Sequence, residues 1–204
     1  MSEITLTSRF VLEKFGGPFP GYLSLWDKQT KQTQFFATGE LDKLDAVVAE
    51  LAPKYDLYLA LGAQAARLPH DKRGNADTVC AVPGFFGDID FANSKDSAKK
   101  YPPDEAAALK VLATFPLKPT TIIRTGNGLH AHWDLEKPLL VETPGDREDA
   151  KSVWKDFQRS LQRCFAANGY DIDSVGDLTR LYRIPGTFNH KSSPPKTVEI
   201  ISHE

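Results

Sequence analysis

Asp88-Ile89-Asp90 is the first place in the chain where residue type and spacing could do chemistry. Side chains alternate on a strand, so both carboxylates would leave one face about 6.6 Å apart along the backbone while Ile89 enters the core. Paired oxygen donors on a rigid element suit hard divalent ions such as magnesium or manganese. Phe85-Phe86-Gly87 before the pair and Phe91 after it would set it at the rim of a buried strand, although an exposed strand end or an Asx turn has the same composition. His130 and His132 come next, alternating with Leu129, Ala131, Trp133 and Leu135. Three readings are open for that polar face: solvation, a His-x-His pair ligating a transition metal, or His130 donating to a phosphate beside the acids. Residues 170–191, YDIDSVGDLTRLYRIPGTFNHK, then place Asp171, Asp173 and Asp177 close to Arg180, Arg183 and Lys191, with an Ile-Pro-Gly turn leading through Thr187 to Asn189. Metal-binding acids beside guanidinium groups that grip phosphate in a bidentate way are the chemistry of a nucleoside triphosphate site. Surface ion pairs, each worth little, are the plainer alternative.

In this order the segments resemble the archaeo-eukaryotic primase superfamily, and more narrowly the primase-polymerase domains of phages, plasmids and other mobile elements. That family shows a paired acid, a small-x-His, and a third acid after a hydrophobic residue. Here they match Asp88 and Asp90, Gly128-Leu129-His130, and Ile172-Asp173, with Asp171 and Asp177 as competitors for the third acid. Gly128 stands where other members can carry serine. The tail from Arg183 to Lys191, Arg-x-Pro-Gly-Thr-x-Asn-x-Lys, resembles the segment after the third motif in mobile-element members. The match covers residues 73–191, and no motif is found in the first seventy. The resemblance implies an α+β primase-like core, with mixed or antiparallel sheets, an RRM-like half and flanking helices. It also implies template-directed, two-metal nucleotidyl transfer by a DNA primase or polymerase. Asp88, Asp90 and Asp173 would hold two magnesium or manganese ions, and His130 would contact the incoming triphosphate. Arg183, Lys191 and Asn189, with Arg180, would surround the phosphates, and Arg73 and Arg67 are weaker candidates for template or triphosphate contact. The implied partners are single-stranded DNA template, primer and nucleoside triphosphates in a cytoplasmic setting. With no zinc module or helicase domain visible, the chain reads as a fragment of a longer replication protein, leaving room for a helicase domain or partner.

These residues need elements to position them. The spacing predicts strands over 21–27 and 32–38 around a Lys28-to-Lys31 hairpin, a helix over 41–51 and a buried strand over 56–61, then a polar loop over 62–76. A strand over 79–91 carries an irregularity at Pro83-Gly84, and an Ala-rich helix spans 103–115. Strands over 120–125 and 129–135 meet at Gly126-Asn127-Gly128, the strongest hairpin signal in the chain. The longest helix is expected over 146–168, with Ala150, Val153, Trp154, Phe157, Leu161, Cys164 and Phe165 as its apolar face. Its other face carries Arg147, Lys151, Lys155, Arg159 and Arg163, either a solvated stripe or one that tracks a nucleic-acid backbone. A short strand over 197–201 follows.

Composition bounds the rest. The 204 residues, 41% hydrophobic and 25% charged, are ordinary globular usage and argue against disorder, collagen-like repeats or a long coiled coil. The length and the lack of a linker suggest one domain over 1–204, or two fused lobes. No apolar run approaches the ~20 residues of a membrane span, and Met1 to Arg9 lacks the pattern of a secretory signal. Cys80 and Cys164, far apart and outside any Cys-x-x-Cys pair, favour a reducing compartment over a disulfide framework. The net charge of −2 advertises no global affinity for nucleic acid. Two other classes stay open: a replication or origin module that binds DNA without catalysis, and a metal hydrolase or sugar-nucleotide transferase built on Asp-x-Asp and the His-x-His strand.

Overall fold

The computed structural model describes residues 6–92 and 98–203. Residues 1–5, part of the stretch read against a secretory signal, lie outside them. In chain order the elements are α1 (Leu6–Phe15), β1 (Tyr22–Asp27), β2 (Thr33–Ala37), α2 (Leu41–Leu51), β3 (Leu57–Ala60), β4 (Ala63–Gln64), β5 (Val79–Asp90), α3 (Glu105–Leu112), β6 (Thr121–Arg124), β7 (Gly128–Leu140), α4 (Pro144–Ala167), β8 (Leu181–Arg183), β9 (Phe188–Asn189), β10 (Lys196–Thr197) and β11 (Glu199–His203). The architecture is α+β, and every ladder between described residues is antiparallel.

The main sheet runs β11-β6-β7-β5-β4-β1-β3-β8, with β2 against β1. β2 takes one edge of β1 from Tyr22 to Trp26, so β3 and β4 must share the other edge. β4 continues into β5 and β7, while β3 continues into β8, and the sheet therefore divides at β1. Pro83 offers no ladder donor, and the β5–β7 register slips beside it: Val82 faces Leu139 but Gly84 faces Asp134. Beyond that slip the ladder is regular through Asp88 opposite His130 and Asp90 opposite Gly128.

Alternation along β5 and β7 builds two faces. Ile89, Leu129, Ala131 and Trp133 pack with Ala108 and Val111 of α3 and with Leu161 and Phe165 of α4, all buried. Trp154, from the same helix, is also buried, whereas Val153, expected on the apolar face, is 50% exposed. Thr143 and Asp146 exchange hydrogen bonds in a capping box at the start of α4, with Pro144 in the first turn, two residues earlier than the apolar pattern suggests.

The opposite face carries Phe86, His130 and His132 and is covered in part by α1, a helix missing from the sequence reading. Its Phe10, Val11 and Phe15 are buried. From this helix Lys14, 1% exposed, donates to His132 Nδ1 at 3.0 Å and pairs with the Asp134 carboxylate. His132 stacks on Phe86 at 5.3 Å and meets the Tyr182 ring edge-on at 5.2 Å. Burial, followed by the Lys14 cation, holds the His132 imidazole well below its ordinary pKa, so the ring stays neutral. Its Nδ1 accepts from an ammonium, which puts the ring proton on Nε2, inside the aromatic surround. Both histidines are buried, so the solvated-face reading does not describe this strand, and His132 has no lone pair to spare for a metal.

Lys14→Met removes the cation but leaves Asp134 and the His132 lone pair in place. It should lower unfolding stability by about 3 kcal/mol, the penalty for breaking a buried pair from one side, as a drop in urea midpoint at pH 7.

Candidate active site

Where the sheet divides, a cavity of about 350 Å³ opens, and the cross-strand pair Asp88 and His130 lies on its wall. Two residues apart on β5, Asp88 and Asp90 both enter the cavity while Ile89 is wholly buried behind them. His130 Nε2 stands 3.5 Å from an Asp88 carboxylate oxygen. The other ring nitrogen, Nδ1, accepts from the Arg183 backbone N–H at 3.3 Å, so the neutral imidazole carries its proton on Nε2, toward the acid.

Two glycines let this pair form. Gly126 turns the β6–β7 connection at φ 92°, a left-handed conformation that side chains rarely adopt. Gly128 lies opposite Asp90, and a Cβ there would fall 2.3 Å from the Ile89 carbonyl oxygen. The small residue of the second motif is thus a condition of close strand approach beneath the acids.

Arg183 lines the cavity but is 3% exposed, because its guanidinium is committed elsewhere. Nη1 binds Asp56 Oδ1 at 2.7 Å and Nη2 binds Asn189 Oδ1 at 3.0 Å. Asp56 also accepts from the His190 N–H at 3.0 Å and from Gln29 Nε2 at 3.1 Å. Asn189 in turn donates to the Thr125 carbonyl at 2.6 Å. Burial alone would raise the Asp56 carboxyl, but the hydrogen bond and charge of Arg183, then His190 and Gln29, hold it below its ordinary value. The Arg-x-Pro-Gly-Thr-x-Asn segment is therefore a clamp that shapes the cavity wall.

Other expected residues divide between cavity and elsewhere. Arg180 is partly exposed in the cavity, with Nη2 3.8 Å from Asp88 Oδ2. Lys191 and Arg73 line it too. Desolvation, then the Lys28 and Arg183 cations, lowers the Lys191 ammonium against the pull of Asp90 and Asp88. Arg67 instead pairs with Glu40 and the Phe35 carbonyl and lies over the Tyr22 ring. Asp173 is not among the cavity-lining residues: its Oδ1 accepts from Lys99 at 2.6 Å and from the Tyr101 hydroxyl at 2.8 Å. Asp171 accepts from the Lys100 N–H. Asp177 does line the cavity, with Oδ1 accepting from Thr179 N and Oγ1 at 3.0 and 2.9 Å. The hydrophobic residue that singled out Asp173 marks a core position, since Ile172 packs into the α3–α4 cluster.

Sequence reasoning missed Trp26, Lys28 and Tyr58 of the wall and Asp56 behind it. Tyr58 and Asp56 belong to a strand recognised only as apolar, Trp26 and Lys28 to a hairpin without a motif. Cross-strand register, which no short window contains, brings them to the site. On α4, Lys151 pairs with Glu148, Arg159 pairs with Asp156, and Arg147 donates to the Ala76 carbonyl, the pattern of a solvated face.

Among the described residues no three His, Cys, Asp or Glu side chains converge closely enough to hold a metal by themselves. Asp88 and Asp90 nonetheless fit magnesium or manganese, which are commonly bound through one or two carboxylates, with water and substrate phosphates completing the shell.

Two changes test this wall. Asp56→Asn should cost about 3–5 kcal/mol at neutral pH by stranding Arg183. Because the folded carboxyl lies below its unfolded value of about 3.9, the wild-type advantage persists above that pH and shrinks as acid takes it through the folded value, measurable in urea titrations from pH 7 to 2. Gly128→Ala should keep the circular-dichroism spectrum yet lower the melting temperature, by forcing β7 away from Ile89.

No protein-family model matches the chain, and no curated protein does. Solved structures do. The archaeo-eukaryotic primase domain of the cyanophage S-2L primase-polymerase superposes with a TM-score of 0.60 at 16% identity, covering 97% of this chain and 89% of that one. The catalytic domain of primase RepB′ in complex with initiator DNA gives 0.50 at 14% identity, covering 98% and 86%. No helix among the described residues is long and apolar enough to cross a membrane. By superposition the chain, with its β5–β7 ladder, divided sheet and flanking helices, has a fold like that of the archaeo-eukaryotic primase domain of the cyanophage primase-polymerase.

Proposed function

We propose that the protein is a template-directed nucleotidyltransferase, a DNA primase or polymerase that works in replication of a phage, plasmid or similar element. The observation that carries this reading is the Asp88–Asp90–His130 ladder, set in a cavity also lined by Arg73, Arg180, Lys191 and Lys28. Acids and cations within one cavity meet the two requirements of a triphosphate: hard oxygen ligands for divalent ions, and positive charge for phosphate oxygens not bound to them. The fold shared with the cyanophage primase-polymerase supports the same assignment, as does the initiator DNA bound to the RepB′ domain.

Asp88 and Asp90 would hold the magnesium or manganese ions together with substrate phosphates and water, and Asp177, which lines the same cavity but does not converge with them on one ion position, replaces Asp173 as the candidate third acid. Ions held by these carboxylates would supply Lewis-acid activation of a primer 3′-hydroxyl and charge neutralisation for departing pyrophosphate. His130, its Nε2 proton directed into the site, donates to a phosphate oxygen of the incoming nucleotide. Arg180 and Lys191 neutralise that triphosphate, and Arg73 serves it or the template phosphates. Arg183 and Asn189 act from behind, holding the wall and the His130 tautomer. Single-stranded DNA and a primer are the polymeric substrates, and the unpaired Cys80 and Cys164 suit a cytosolic setting.

The test is incorporation of labelled nucleotide on single-stranded template, with and without primer, in magnesium or manganese. Asp88→Ala/Asp90→Ala should lose about a hundredfold or more in rate, as expected when several kcal/mol of charge stabilisation disappear. Its melting temperature should stay within a few degrees of wild type, since it removes two mutually repelling carboxylates. Chelator should abolish incorporation. Binding of DNA that ignores chelator, with no incorporation under any condition, would instead mark a non-catalytic replication module.

A further inference from the structure

The cavity has an apolar wall that ions and phosphates do not need. Trp26 on β1 lies directly opposite Tyr58 on β3, and Tyr58 lies directly opposite Arg183 on β8. Residues opposite one another on neighbouring antiparallel strands project from the same face, so the three form one row across three strands. The indole and phenol centroids are 5.6 Å apart with planes inclined at 49°. The Arg183 guanidinium lies 4.7 Å from the Tyr58 centroid, and that of Arg73 lies 5.2 Å from the Trp26 centroid. Both rings are half-buried and line the same cavity as Asp88 and His130.

We infer that Trp26 and Tyr58 form the shelf on which the base of the bound nucleotide stacks. The inference rests on the nucleotidyltransferase reading and adds a residue-level base subsite to it. Aromatic surface that the two guanidinium groups leave uncovered inside the cavity stays in contact with water unless a planar, partly apolar group covers it. A nucleoside triphosphate has such a group at the end remote from its charge. A cavity of about 350 Å³ has room for one nucleotide rather than a length of strand, which favours the incoming nucleotide over template bases. Stacking on an aromatic face is tolerant of base identity, as templated synthesis requires, because every base has a π-face. The shelf is stiff: the strand ladder fixes the backbones, and Asp56 and Asn189 hold the guanidinium beside Tyr58. Desolvation pushes the Tyr58 phenol up to about 12, so it stays neutral across the working range and adds no charge against the phosphates.

The protein has three tryptophans, and Trp133 and Trp154 are buried at 6% and 0% exposure, so a ligand reaching the cavity reports through Trp26. In magnesium buffer, deoxynucleoside triphosphates should quench tryptophan emission and bind at least about tenfold more tightly than inorganic tripolyphosphate, which lacks a base. By calorimetry, Trp26→Leu should weaken nucleotide binding about tenfold and leave tripolyphosphate binding unchanged, while Trp26→Phe, which keeps a ring, should bind nucleotide within about threefold of wild type. Equal binding of nucleotide and tripolyphosphate by the wild-type protein would overturn the shelf and leave the phosphate site standing; that comparison needs no variant. Unchanged nucleotide affinity in a folded Trp26→Leu would overturn it as well. So would quenching by a single-stranded oligonucleotide but not by nucleotide. Failure of the wild type to bind either small ligand would overturn the nucleotidyltransferase reading together with the shelf.

Discussion

One desolvated ion pair, Asp56 with Arg183, organises the cavity from behind. Both residues are at most 3% exposed, so neither charge can be left without partners, and each is saturated by neighbours from other parts of the chain. Arg183 reaches Asn189, Asn189 reaches the Thr125 carbonyl, and Thr125 begins the turn that delivers Gly128 and His130. The Arg183 backbone N–H meets His130 Nδ1 and so directs the opposite nitrogen toward Asp88. A buried charge on β8 thereby sets the protonation geometry of an imidazole on β7, although the two strands are not paired with each other.

The same sheet face continues inward to a second buried charge, that of Lys14. Burial lowers its ammonium pKa and the Asp134 carboxylate opposes the shift. His132 Nδ1 accepts a hydrogen bond from this ammonium, with Phe86, Tyr182 and Phe10 closing around the ring. His130 and His132 are two residues apart on one strand face yet differ in kind. His132 is sealed under α1 and neutral, whereas His130 stands at the cavity edge with one nitrogen toward an acid. The boundary between packing and chemistry falls between them, and it is drawn by where α1 ends its cover.

Much of this was legible in the sequence wherever a local period or a turn residue carries the information. Alternation from Leu129 to Leu135 places the histidines opposite Leu129 and Trp133, Asp-Ile-Asp puts two acids on one face, and Gly126-Asn127-Gly128 makes the hairpin. The slip at Pro83 follows from a missing donor. α1 carries no sequence signal because LTSRFVLEKF, ten residues long, is too short to be helical alone despite its Leu, Arg, Glu and Lys residues, and its helical state depends on burying Phe10, Val11 and Phe15. β8 is three residues long and carries no period at all. Arg183 has the residue type of a phosphate ligand, yet the partner that commits it, Asp56, is 127 residues away. The third acid turns on the same limit. Spacing cannot separate Asp173 from Asp177, whereas three dimensions put the first on Lys99 and Tyr101 and the second in the cavity.

A net charge of −2 hides an arrangement that matters more than its sum. Asp88, Asp90 and Asp177 share one cavity with Lys28, Arg73, Arg180 and Lys191, so the local field changes sign across a few ångströms. Like charges gathered in one cavity cost stability, and its cations return part of that cost through Arg180 near Asp88 and through the acids' pull on Lys191. On the proposed nucleotidyltransferase reading, a ligand carrying both signs, polyphosphate with its divalent ions, would replace these long contacts with short ones to acids and cations at once. An anion alone would meet the carboxylates, and a cation alone the guanidinium groups. On the same reading, this geometry of charges would favour the paired species over either ion alone.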